Sequence, residues 1–280
     1  MTTSAAAVTI TIMLRFTKMN GAGNDFVLID NRSGALKLTR DQIAFLCDRH
    51  RGIGADGVLL AEPATGAADF RMRYYKSDGG EAEMCGNGAR CFSRFLNSIA
   101  GPLSQISFET QAGIIRAEIE GEHVKLGMGR PRDLLLNRSL DVGGVKLSTH
   151  FVNTGVPHVV TFVDDTESTP VEVWGAEIRF HAAFRPNGTN ANFVEELEPG
   201  KLAIRTYERG VEAETLACGT GVTAAALIYS ALSNAPAPVR LRVRGGDWLE
   251  VGFRVNGQEF EDVTLKGPAD FTFEGCISTI

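Results

Sequence analysis

The 280-residue chain carries 28 Lys and Arg against 34 Asp and Glu, a net charge of −6, with 44% hydrophobic and 22% charged residues. That make-up is globular, with room for two units of about 130 residues each. The acidic balance and lack of a basic stripe argue against nucleic acid and membrane as partners, and no apolar run reaches the roughly 18 residues of a spanning helix.

Residues 1–12 are apolar but short and lack the basic start of a signal peptide, so 1–13 read as an extension or early strand and a cytoplasmic location is expected. Phe16-Thr17-Lys18-Met19-Asn20-Gly21 then leads to the apolar run Phe26-Val27-Leu28-Ile29-Asp30. Thr39-Arg40-Asp41-Gln42 is a capping-box pattern and predicts an amphipathic helix to about His50. Gly52-Ile53-Gly54-Ala55-Asp56-Gly57 imitates a dinucleotide fingerprint. It follows a helix and opens a strand at 58–61, the reverse of what that motif requires, and the reading is rejected. Residues 70–75 alternate as a strand does. Next comes Met84-Cys85-Gly86-Asn87-Gly88, a helix over 89–99, and strand-like runs at 104–110, 114–119 and 123–128.

The second half repeats this plan. Phe151-Val152-Asn153-Thr154-Gly155 leads to an apolar run at 159–164, and residues 173–183 form a weaker helix mirroring the capped one. Ala217-Cys218-Gly219-Thr220-Gly221 opens a helix over 222–232, followed by runs at 239–244, 248–255 and 261–266. Correspondences in one order point to internal duplication. The expected fold is α+β: two pseudo-symmetric halves, each a curled, mostly antiparallel sheet around a central helix, with the site in the cleft between them. The boundary is placed at Gly129-Arg130-Pro131, giving residues 14–131 and 132–267, and the last strand, about 268–280, returns to the first half.

Five cysteines, odd in number and widely spaced, fit a reducing compartment better than a disulfide framework. No Cys-x-x-Cys or His-x-x-x-His spacing supports a metal site. Cys47, Cys91 and Cys276 read as buried small residues. Cys85 and Cys218 differ, because each precedes a glycine turn at a helix N-terminus. There the dipole and unpaired N–H groups depress a thiol pKa and attract anions. The glycines let a ligand approach the backbone. If the two helix ends face each other, both grip one carboxylate and their sulfurs flank the carbon that bears it. One removes the α-proton and the other delivers a proton to the opposite face, while the helix ends stabilise the enolate-like transition state. Two alternatives stand beside this: a Cys–His hydrolase using His50 or His158, which leaves one thiol idle, and a redox pair.

The motifs resemble those of the diaminopimelate epimerase family from about Met13 to the end of the chain. They are Lys18-Met19-Asn20-Gly21-Ala22-Gly23-Asn24-Asp25-Phe26, Ser77-Asp78-Gly79, the first Cys turn through Cys91, Gly155-Val156-Pro157-His158, Asn190-Ala191-Asn192-Phe193, Tyr207-Glu208-Arg209-Gly210, and Glu214 through Gly221. The resemblance implies cofactor-independent conversion of LL-2,6-diaminopimelate to the meso form, for lysine and peptidoglycan precursors. It also implies a small-molecule amino-acid substrate and usually a homodimer. By motif Cys85 and Cys218 are the bases, and Gly86, Asn87 and Gly88 with Gly219, Thr220 and Gly221 hold the reacting carboxylate. Asn24, Asn190, Glu208 and Arg209 line the site, and a Glu beside an Arg suits the zwitterionic far end of the substrate. Lys76 and Val156 stand where many members have Asn, and Gly57 where some have Gln. These departures leave a racemase of another amino acid as the alternative within the class. His158 is read as orienting the site, meeting a substrate ammonium, or packing as a structural histidine.

Overall fold

The computed structural model describes residues 13–278; residues 1–12, read above as an extension, lie outside them. In the first half, β1 (Met13–Gly21) and β2 (Asn24–Asp30) are antiparallel, turned by Ala22 and Gly23, both at positive φ. Helix α1 (Arg40–Cys47) carries the full capping box: the Gln42 N–H donates to the Thr39 hydroxyl, and the Thr39 N–H to the Gln42 side chain at 2.8 Å. Then come β3 (Gly57–Pro63), β4 (Phe70–Lys76), the short β5 (Glu81–Ala82), α2 (Gly86–Ala100), β6 (Gln105–Thr110), β7 (Gly113–Glu120) and β8 (His123–Gly127). The remainder is β9 (Arg132–Val142), β10 (Val145–Asn153), β11 (Pro157–Phe162), α3 (Val171–Phe180), β12 (Asn190–Glu198), β13 (Lys201–Glu208), β14 (Ala213–Thr215), α4 (Gly219–Ser233), β15 (Val239–Arg242), β16 (Trp248–Asn256), β17 (Glu259–Pro268) and β18 (Asp270–Ser278).

The duplication is visible in the pairings. β2 and β3 are parallel, as are β11 and β12; β3 and β4 are antiparallel, as are β12 and β13. β4 pairs in parallel with β6, and β13 with β15. Each half therefore curls around one central helix. Phe92 and Leu96 of α2 pack with Met19, Phe26, Leu28, Leu59 and Phe108, and Leu227 of α4 packs with Val160, Val194, Leu202, Leu241 and Leu265. Burying each such side chain is worth about 1.5–3 kcal/mol. Helix α4 is sheathed almost throughout, which its run of Val, Ala, Leu and Ile requires. α1 and α3 pack on the outer faces against smaller clusters.

Two seams join the halves. β8 pairs antiparallel with β17, and β18 crosses back to pair antiparallel with β1. Strand β9 had no counterpart in the sequence reading. Its apolar residues Leu134, Leu135 and Leu136 are consecutive rather than alternating, and Asp133 and Asn137 at positive φ interrupt it, so no period-two signal survives. One cysteine departs from expectation: Cys276 is exposed on β18, opposite Arg15, whereas Cys47 and Cys91 are buried. None of the described helices is long and apolar enough to cross a membrane.

Candidate active site

Cys85 and Cys218 are the N-caps of the two central helices. Both have extended backbone, φ −139° and ψ 124° for Cys85, φ −122° and ψ 105° for Cys218. Gly86 and Gly219 are the first helical residues. Two positions on, closeness requires the glycine at 221 and only favours the one at 88. A Cβ on Gly221 would lie 2.4 Å from Asn192 Oδ1, and one on Gly88 would lie 3.3 Å from the Phe26 ring. The two helix ends meet: Asn87 Nδ2 donates to the Ala217 carbonyl at 3.2 Å, directly before Cys218. Within the second half, the Thr154 hydroxyl donates to Thr220 O at 2.9 Å.

The sulfurs see different surroundings. The Cys85 thiol donates to Asn24 Oδ1 at 3.4 Å. Burial pushes its pKa up and the nearby Glu208 carboxylate adds to this, while the N–H groups of Gly88 and Asn87 and the Arg90 guanidinium oppose it. Cys218 lies 3.5 Å from the Thr220 hydroxyl. Burial, then the Glu208 carboxylate beside it, drive this thiol well above its ordinary value against the Thr220 hydroxyl and the Gly221 N–H. Glu208 itself is pushed up by burial, with the Thr215 hydroxyl donating to its Oε1 at 2.6 Å.

His158 is fully buried. Asn192 Nδ2 lies 3.2 Å from its Nδ1 and also donates to Val159 O, while Asn192 Oδ1 accepts from the Thr206 hydroxyl at 3.0 Å. The Asn192 amide is thus fixed as a donor to Nδ1, which leaves the proton on Nε2, and Nε2 has no partner. Burial and the Arg209 charge hold this imidazole down at about 3, so it is neutral.

Asn190 spends its side chain on backbone, donating to Pro157 O and accepting from the Arg209 N–H at 2.8 Å. It sets the position of His158 on one side and of the Glu208-Arg209 turn on the other. Lys76 stands at the end of β4, more than half exposed, with its ammonium 3.8 Å from Asp78 Oδ2.

A charged network behind Asn24 escaped the sequence reading. Lys18 is buried, donates to Gly54 O and pairs with Asp25 at 2.7 Å. Arg49 bridges Asp25 and Asp56, and Asp56 accepts from Asn24 Nδ2 at 2.6 Å. Although burial pushes Asp25 up, its bonds from Arg49 and Lys18 hold it at about 2. The rejected Gly52–Gly57 segment is therefore the strap that supplies Gly54 O and Asp56. Arg90, fully buried under Asn87, was hidden for a different reason: an arginine in an amphipathic helix is normally read as its wet face.

Paired α+β halves around facing helix ends form a fold that recurs among solved proteins. The chain superposes on a PhzF-family phenazine biosynthesis protein from Bacillus anthracis with a TM-score of 0.73 at 16% identity, covering 95% of this chain and 99% of that one. It also superposes on a hydroxyproline epimerase from Agrobacterium vitis with a TM-score of 0.69 at 18% identity, covering 95% and 92%. The sequence narrows the assignment. A family model described as diaminopimelate epimerase matches residues 16–134 and 150–272. Diaminopimelate epimerases from Chlorobaculum tepidum and Aquifex aeolicus are 42% and 40% identical, over 93% and 95% of this chain and 100% and 98% of theirs. The chain belongs to the diaminopimelate epimerase family, and so to the isomerases.

Proposed function

We propose that this family member converts LL-2,6-diaminopimelate to the meso form at one α-carbon, with Cys85 and Cys218 as the two bases, supplying precursors of lysine and peptidoglycan. The observation that carries the reading is the contact between the two helix N-termini through Asn87 and Ala217 O, which brings both thiol-bearing turns to one place. The reacting carboxylate docks on the N–H groups of the 86–88 and 219–221 turns. The thiolate of one cysteine takes the α-proton, and the C–H electron pair is delocalised into the carboxylate. The thiol of the other then gives its proton to the opposite face, and the two exchange ionisation states. Arg90 and the N–H groups around Cys85 favour the thiolate there, whereas Glu208 favours the thiol at Cys218.

His158, neutral and with a free Nε2–H, donates to a carboxylate oxygen and does not meet an ammonium. Arg209, whose Nη1 is held by Asn187 O, has further N–H groups for the distal carboxylate. Lys76 reaches the substrate only by leaving Asp78. The division into 14–131 with 268–280 and 132–267, a homodimer and a cytoplasmic location belong to the same reading. β18 on β1 supports the first, and sedimentation velocity showing only monomer overturns the second.

In heavy water the reduced protein is expected to place deuterium on one α-carbon of LL-diaminopimelate while forming the meso isomer. Absence of exchange in the parent protein, or meso isomer still formed at full rate after removal of either thiol, overturns the two-base reading.

A further inference from the structure

Two side-chain amides lie at the Cys85 turn, Asn24 on the sulfur and Asn87 bonded to Asn24. An amide turned end for end exchanges a donor for an acceptor, so what it presents is decided by its other neighbours. Asn24 Nδ2 donates to Asp56 Oδ2 at 2.6 Å. A carboxylate only accepts, so the NH2 must face it, and Oδ1 is turned towards Cys85 Sγ and Asn87 Nδ2. For Asn87 the logic is inverted. Its Oδ1 accepts from Arg90 Nη2 at 3.0 Å, and a guanidinium only donates, so the NH2 is turned towards Ala217 O and Asn24.

Both charged groups are themselves held. Asp56 accepts from Arg49 at 2.9 Å and from the Asp25 N–H at 3.2 Å. Arg90 is 0% exposed and donates from Nε to Pro268 O; its Nη1 has no partner. A Cβ on Gly267 would crowd its Nε at 3.1 Å. No carboxylate lies within ion-pair distance of it among the described residues. A buried guanidinium without a carboxylate works against stability, and packing alone does not explain its place under the site. The other half has no such device. There Thr220 stands for Asn87, and Thr223, bonded to Gly219 O, stands for Arg90.

We propose that Asp56 and Arg90 are paired positioning residues that lock the Asn24 and Asn87 amides in opposite senses against Cys85. The first keeps an acceptor on the thiol and so retains its proton. The second keeps a donor across the cleft and adds positive charge that favours loss of that proton. The inference rests on Cys85 being one of the two bases. The charged and titratable groups facing Cys85 are Arg90 and Cys91 from its own helix, Tyr74 from β4 and Glu208 from β13.

The test needs no substrate. Reduced protein is alkylated with iodoacetamide across a pH series, and Cys85, Cys218 and Cys276 are followed separately by peptide mass spectrometry. In Asp56→Asn the Arg49 guanidinium claims the remaining oxygen, so the new NH2 faces Asn24 and turns its amide over, and the Cys85 midpoint falls by about half a pH unit or more. Asp56→Ala removes the charge without offering a donor and gives a smaller fall. Arg90→Gln keeps a donor for Asn87 but not the charge, and the Cys85 midpoint rises. Cys218 and Cys276 stay put throughout. Equal falls in Asp56→Asn and Asp56→Ala, no shift, or parallel shifts of Cys85 and Cys218 overturn the proposal. Asp56 lies on a half-exposed loop, so its two variants decide the matter even if Arg90→Gln does not fold. Shifted midpoints in a protein that exchanges no α-proton would sink the epimerase reading while keeping the control of Cys85 ionisation by Asp56 and Arg90, so the two failures are told apart.

Discussion

The N-terminus of α2 and that of α4 use one backbone design, an extended cysteine followed by glycines at the first and third helical positions. Around it they differ. Cys85 meets an amide oxygen, with a buried guanidinium one turn below, while Cys218 meets a hydroxyl and a buried carboxylate. Duplication supplied two equivalent frames, and the divergence of their linings gives the two thiols unequal hold on a proton. In a reaction that needs one thiolate and one thiol at the same moment, that inequality decides which sulfur carries the charge at rest.

Removing either sulfur breaks the comparison outright. Cys85→Ala and Cys218→Ala are each expected to lose roughly a hundred- to ten-thousand-fold in kcat, measured by coupled assay on reduced protein. One variant retaining full turnover would mean that the halves do not act together. Glu208→Gln probes a carboxylate that both thiols feel and that is hydrogen-bonded, of the two, to Cys218 alone. It removes the negative charge beside Cys218, so that thiol should ionise at lower pH, with kcat/KM down at least about tenfold. An alkylation midpoint for Cys218 that stays in place would show that Glu208 does not control it.

The glycines allow a finer contrast. Gly221→Ala must displace Asn192, whose amide is held by Thr206, Val159 and His158, and is expected to lower stability by about 1–3 kcal/mol. Gly88→Ala asks only a few tenths of an ångström of the Phe26 ring and should cost less than about 1 kcal/mol. Chemical denaturation of both variants tests the order; equal losses would mean that Asn192 is not rigid.

The smallest effect lies behind Asn24. Asp25, held at about 2 against an ordinary 3.8, has a folded pKa below its unfolded one, so its contribution is complete above about pH 4 and disappears as pH falls towards 2. Acid denaturation should steepen in that window for the parent protein and flatten in Asp25→Asn. Identical acid profiles would remove the network from the stability of this half.

Much of the molecule was legible because its signals are local. The capping box at Thr39 and the paired glycine turns state their geometry within a few residues. What escaped depends on distant partners. Asp56 takes its meaning from Asn24, 32 positions away, and Arg90 from Pro268, 178 positions away. Asn192 sits inside a recognised motif, yet its part in fixing His158 follows from a register between β11 and β12 that no spacing reveals. Cys276 misled in the other direction, since a cysteine in an apolar strand looks buried until the strand proves to lie with one face outward.

Strand β18 carries a consequence for biogenesis. Its partner β1 leaves the ribosome long before it, so the edge that β18 covers, with Phe16 against Phe273 and Gly275, stays bare until the second half has been made. At translation speeds of about 5–20 residues per second, that open edge persists for many seconds. During that interval the nascent half is vulnerable to strand pairing with neighbouring chains.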